Sequence, residues 1–212
     1  MVTLPLADEI FLVGHDEDSG KPLISDLALD TALAGAILGE LVLADRISVT
    51  DQTLVLPHNA TPVGNEAADL ALSEIVQQPE RYPVRAWSEH LREAVRALVG
   101  ARLERAGMVE RVESRVMLRT TVRYLPRNRV SAAAAEARIR YMMDNPAALD
   151  EQTAALAGLM LASNLEFVMG GASAREVRER LTDMTGVLRP DLRSLVAGIE
   201  SAVAALVLSG RR

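Results

Sequence analysis

The sequence predicts a mainly α-helical protein, one domain over residues 1–212, with a helical core and small β-hairpins, one projecting from a face. Three observations carry that expectation. Apolar residues recur at helical spacing through most of the 212-residue chain. Period-two alternation is confined to two short stretches, near 46–56 and 112–124. With 49% hydrophobic residues, the chain has enough apolar surface for one sizeable core.

The elements follow in order. Residues 4–14 read LPLADEIFLVG, a short apolar element opened by Pro5 and closed by Gly14. Asp16 to Pro22 is a turn; its acidic residues suggest a calcium loop, but Leu27 stands where that loop needs a bidentate glutamate. Leu29, Leu33, Ile37 and Leu41 recur at i+4 and predict a helix over 26–44. The residues between them are mostly alanine and glycine, so this helix should be buried with close neighbours. Arg46–Thr50 and Thr53–Leu56 predict a hairpin across Asp51-Gln52, followed by a loop over Pro57–Asn65. A helix over 66–77 precedes the breakers Pro79 and Pro83. The next helix runs from Val84 to a stop at Gly107, with Trp87, Leu91, Val95, Leu98 and Leu103 inward. Its Arg92, Arg96, Arg102 and Arg105 are expected nearer the outside. Between 111 and 124 the odd positions are arginine-rich and the even ones largely apolar, which predicts a strand or hairpin with two unlike faces. Four helices complete the chain: 131–144; 150–163 with Asp150 as N-cap; one capped by Ser173 after Gly170-Gly171; and a last one from Asp191.

Composition excludes several function classes. The chain has no cysteine, which removes disulfides, thiolate chemistry and cysteine-based zinc sites. His15, His58 and His90 are too scattered for a metal site, and no metal or other cofactor is expected. No apolar run of membrane-spanning length stands out, and Met1–Pro5 lacks the basic start of a signal peptide. A soluble cytoplasmic protein is therefore expected. No GxSxG, HExxH, Walker A or GxGxxG motif occurs, so no enzyme is expected.

Charge is distributed in blocks. Residues 1–80 carry 14 acidic and 2 basic side chains, whereas residues 81–140 carry 6 acidic and 14 basic ones. The basic third either faces the acidic one inside the fold or across an oligomer interface, or forms a face for phosphate, lipid headgroup or nucleic acid. Of 23 basic residues only Lys21 is lysine, a bias that a genome rich in G and C produces.

With these elements placed, the chain resembles the Golgi phosphoprotein 3 family in the short form seen in actinobacteria. The opening TLPLADEIFLVGHDEDSGKPL is similar to the family's TLPEELLLLALDDETGKPL, and ALAGAILGELVLADRI to its GLAGALLAELALRGRI. Trp87 ahead of VRALVGARLERAGMVER resembles the family's LERLVERGVLR, and a strand then leads to Tyr124 and Pro126. The resemblance implies a helical core with a projecting hairpin. It also implies a cytosolic peripheral membrane protein that binds phosphatidylinositol 4-phosphate, self-associates into a homo-oligomer and holds the cytosolic tails of membrane proteins. The family's headgroup site, one tryptophan and three basic residues, falls on Ser25, Ala34, Glu93 and Arg96, of which only Arg96 keeps the basic character.

The residues that remain for binding an anionic membrane lipid are Arg92 and Arg96, one turn apart on a helix, and Arg111, Arg115, Arg119 and Arg123 on one face of the strand pair. Val122, Tyr124 and Leu125 at the hairpin end are candidates for membrane insertion or an oligomer contact. A winged-helix reading, with helix 84–106 and the basic hairpin on DNA, is the alternative; the acidic chain and the glutamates on that helix weigh against nucleic acid. His90 beside Glu89 reads as a lone surface histidine and Trp87 as core. Glu40 is the carboxylate expected to be partly buried, paired with an arginine such as Arg46. The site, if membrane-directed, lies in the cytoplasm at the inner face of the membrane.

Overall fold

The structure, a computed structural model, describes residues 3–56, 60–78, 80–116, 119–171 and 173–209; side chains at 115–116, 119–120 and 129–132 also lie outside the description. Eight α-helices and two hairpins are formed among these residues. They are α1 (Leu6–Val13), α2 (Asp26–Leu43), β1 (Ser48–Thr50), β2 (Thr53–Val55), α3 (Glu66–Gln77), α4 (Val84–Arg105), β3 (Val109–Val116), β4 (Arg119–Pro126), α5 (Arg129–Asp144), α6 (Glu151–Ala162), α7 (Ala174–Thr185) and α8 (Pro190–Ser209).

Helix α2 is the axis of the molecule, because a helix without a polar face has to be covered on every side. It touches α1, α3, α4, α6 and α8. Its small residues allow the close approach: a Cβ at Gly35 would lie 2.7 Å from Ile199 of α8. The buried side chains form one contiguous cluster running from Leu6 to Val203. Side chains cap four helix starts, with Asp150 and Ser173 as the sequence predicts. Ser25, Asn65, Asp150 and Ser173 each accept a backbone N–H in the first turn of α2, α3, α6 and α7. Gly107 ends α4 at φ +70°.

Helix α8 corrects one expectation. By length and composition it could cross a membrane, with a mean hydropathy of 1.6. It packs one side on α2, α4, α6 and β1, burying Leu192, Leu195, Ile199 and Val203, and a third of its apolar span is buried.

The hairpins pair as antiparallel ribbons. In β1–β2, Asp51 and Gln52 both take positive φ (49° and 58°), the form of a two-residue turn that matches strand twist. In β3–β4, Val116 pairs with Arg119 and Val109 with Pro126, so two residues, 117–118, separate the strands. Met117 and Leu118 lie outside the described residues.

Candidate functional site

A cleft of about 960 Å³ lies between the turn before α2, the middle of α4 and the base of the β3–β4 hairpin. Lys21 and Ser25 line it from the turn, Arg92, Glu93 and Arg96 from α4, and Arg111, Val122 and Arg123 from the hairpin. Each wall has a local cause. The turn is closed by Gly20 at φ +64° and by the Asp16 N–H donating to the Lys21 carbonyl at 2.8 Å. The hairpin is anchored by Tyr124, whose N–H donates to the Gly20 carbonyl at 3.2 Å. The Tyr124 ring meets Phe11 edge-on at 5.0 Å, and a Cβ on Gly100 would lie 2.6 Å from it. The third wall therefore depends on glycine at two positions where the hairpin touches other elements.

The structure brings Arg92, Arg96, Arg111 and Arg123 to this cleft, but not as one row of free cations. A two-residue connection reverses the parity of the return strand. Arg111 lies opposite Tyr124 and Arg123 opposite Val112, so the two alternate across the hairpin rather than sharing a face. Arg115 and Arg119 sit opposite Thr120 and Val116, and their side chains lie outside the described residues. The expectation of four arginines on one face is thereby corrected.

Two of the arginines are spent on partners. Arg96 is only 22% exposed and donates to Asp30 at 2.6 Å and Asp26 at 2.5 Å, with a third bond to the Asp26 carbonyl at 2.7 Å. Arg111 pairs with Glu113 at 2.5 Å. Arg92 is half-buried rather than exposed. Among the described residues, the side chains of Arg92 and Arg123 form no hydrogen bond or ion pair, although the Arg92 charge acts on the Asp30 carboxylate. Arg92, Arg123 and Lys21 thus border the cleft together with Glu93, while Asp26 and Asp30 are held by Arg96.

The insertion candidates separate in the same way. Tyr124 is 6% exposed and belongs to the core, not to an outer tip, because it lies at the hairpin base opposite Arg111. Leu125 is half-buried opposite Glu110. Val122 is exposed and borders the cleft. The sequence reading missed Leu23 and Leu27, which are exposed at 36% and 51% and adjoin the cleft-lining residues Pro22, Ile24 and Asp26 in the chain. They stand two residues to either side of the N-cap Ser25, and that pair of leucines was the available signal.

Elsewhere the acidic first third meets the basic second third inside the fold. Asp8 pairs with Arg102 at 2.6 Å, and Glu66 with Arg105. Glu9 takes a bidentate bond from Arg138, whose Nε also donates to Thr153 Oγ1 at 3.0 Å; both charged partners are almost fully buried. Burial pushes the carboxyls of Asp8, Glu9 and Asp30 above the usual range, against the arginines that hold them down. Glu40 is not paired with Arg46. Its carboxylate accepts the Ala7 N–H at 2.8 Å and the Asn65 amide at 2.5 Å, tying α1 and α3 to α2, and burial raises it to about 7. Arg102 on α4 is likewise taken inward, so α4 does not offer the free basic face that a DNA-reading helix needs.

His58 lies outside the described residues, and no group of three or more metal-ligating side chains occurs among the described ones. No curated protein matches the chain. The sequence model of the family described as Golgi phosphoprotein 3 (GPP34) matches residues 6–199, spanning α1 to α8 with its end in the last helix, and the chain accordingly belongs to that family.

Proposed function

We propose that this protein is a non-enzymatic peripheral protein that binds the phosphate-bearing headgroup of an anionic membrane lipid in the cleft between the α2 turn, α4 and the hairpin. The observation that carries the reading is the set of Lys21, Arg92 and Arg123 along one cleft, with exposed Val122 on its border. Guanidinium groups meet phosphate oxygens through directed N–H bonds, and apolar side chains next to them can enter the interfacial layer. A single basic residue near an anionic surface contributes about 1 kcal/mol, so several are needed together. Phosphatidylinositol 4-phosphate itself is disfavoured relative to a general anionic headgroup. At the family's four site positions Ser25 offers no indole, Ala34 is fully buried, Glu93 is anionic and Arg96 is held by two aspartates. Self-association, which the family implies, would multiply the weak contact of one cleft.

Vesicle co-sedimentation tests the reading. Recovery should rise with the phosphatidylglycerol content of phosphatidylcholine vesicles and fall with added salt. Arg92→Glu and Arg123→Glu should each lower the partition coefficient by roughly tenfold, about 1.4 kcal/mol. Equal recovery on neutral and anionic vesicles excludes the proposal, and a further gain specific to phosphatidylinositol 4-phosphate would restore the family's ligand.

A further inference from the structure

The surface corner between the end of α3 and the start of α4 collects an unusual share of the rings in this aromatic-poor chain. The protein has one tryptophan, three tyrosines and two phenylalanines. The tryptophan, one tyrosine and a histidine line a single cavity of about 270 Å³: Trp87, Tyr82 and His90. The rings stand close to right angles. Tyr82 meets Trp87 at 84° with centroids 6.4 Å apart, and Trp87 meets His90 at 74° and 5.9 Å. Trp87 is fixed by the core at 6% exposure, while Tyr82 and His90 stand out from the surface on either side of it. Carboxylates hold the two outer rings: the Tyr82 hydroxyl donates to Glu80 at 3.1 Å, and His90 Nε2 lies 2.9 Å from Glu74 Oε2. Arg85, in the first turn of α4, is already paired with Glu89 at 2.9 Å. None of these lining residues belongs to the cleft described above.

We infer that this corner binds an organic ammonium cation, a quaternary or alkylated amine. The face of an aromatic ring is negative, and rings at right angles present several such faces to one roughly spherical cation. Alkyl groups around the nitrogen match the ring faces and Ala86, and Glu74 and Glu80, bonded to the two outer rings, place negative charge near the rim. An inorganic cation would instead require converging oxygen ligands, which this corner does not offer among its described residues.

The lone tryptophan reports the site directly. Titrating the full chain with choline chloride or tetramethylammonium chloride should change Trp87 emission saturably. Sodium chloride and 3,3-dimethylbutan-1-ol, the uncharged shape analogue of choline, should not. Tyr82→Ala should weaken choline binding by about tenfold and Tyr82→Phe should restore it, because phenylalanine keeps the ring face and loses only the hydroxyl. Glu74→Gln, on a side chain 36% exposed and outside the core, should also weaken binding and provides a second variant if Tyr82→Ala perturbs folding. No saturable change with either ammonium salt, an equal response to the neutral alcohol, or unchanged affinity in both weakening variants overturns the inference.

Discussion

At the scale of single residues, the buried titratable groups set opposing pH dependences. Burial raises Glu40 from 4.5 to about 7 and lowers His15 from 6.5 to about 4. Between those Glu40 values the folded chain holds a proton that the unfolded chain has released. Its contribution to stability therefore falls as pH rises through that window and is constant above it. His15 acts in the opposite sense: the unfolded chain takes a proton that the folded one refuses, so stability falls as pH drops from 6.5 towards 4. Relative to wild type, Glu40→Gln should gain stability as pH rises from about 5 to about 8. His15→Phe should gain as pH falls from about 7 to about 4. Each gain is on the order of 3 kcal/mol across its window, and urea midpoints at four pH values measure both. Parallel profiles for variant and wild type would refute the assignment. The Glu9–Arg138 pair makes a separate case. Arg138→Met leaves a buried unpaired carboxylate and should cost about 3–5 kcal/mol, while adding Glu9→Leu should recover much of it.

At the scale of elements, the β3–β4 hairpin decides what the cleft is made of. Its base is pinned where Tyr124 lies over Gly100 and against Gly20. A Cβ at Gly20 would meet the Tyr124 backbone at 2.9 Å, in a conformation, φ +64°, that side chains rarely adopt. Gly20→Ala should cost about 1–3 kcal/mol and loosen the hairpin. Hydrogen exchange at Tyr124 faster than global unfolding would show this, whereas unchanged protection would refute it. The helices of this protein were largely legible in the chain: 26–43, 66–77 and 84–105 follow from spacing, breakers and caps. The faces of the hairpin were not, because alternation alone does not reveal where a strand turns. A turn of two residues between Val116 and Arg119 reverses the parity and separates Arg111 from Arg123.

At the scale of the whole molecule, the segregation of charge along the sequence is partly undone in space. Asp8–Arg102, Asp26 and Asp30 with Arg96, and Glu66–Arg105 join the acidic third to the basic third. What is left over is a local excess at the cleft, not a basic molecule. Duplex DNA should therefore not be retarded in a mobility-shift assay even at low salt; retardation in proportion to protein would revive the winged-helix reading. The vesicle experiment reads the remaining excess, and its salt dependence should be that of a few charges.

The sequence by itself determined the helical class, the places where helices start and stop, and the family, since these rest on periodicity and on residues adjacent in the chain. It also located most of the residues around the cleft, because Arg92 and Arg96 are one turn apart on a helix that spacing defines. Only the tertiary structure decided which of those cations are free. A guanidinium is taken by whichever carboxylate packing brings within reach, and the partners lie far away in sequence: Asp30 is 66 residues from Arg96, and Glu9 is 129 from Arg138. Periodicity reports on neighbours along the chain, and charge pairing on neighbours across it.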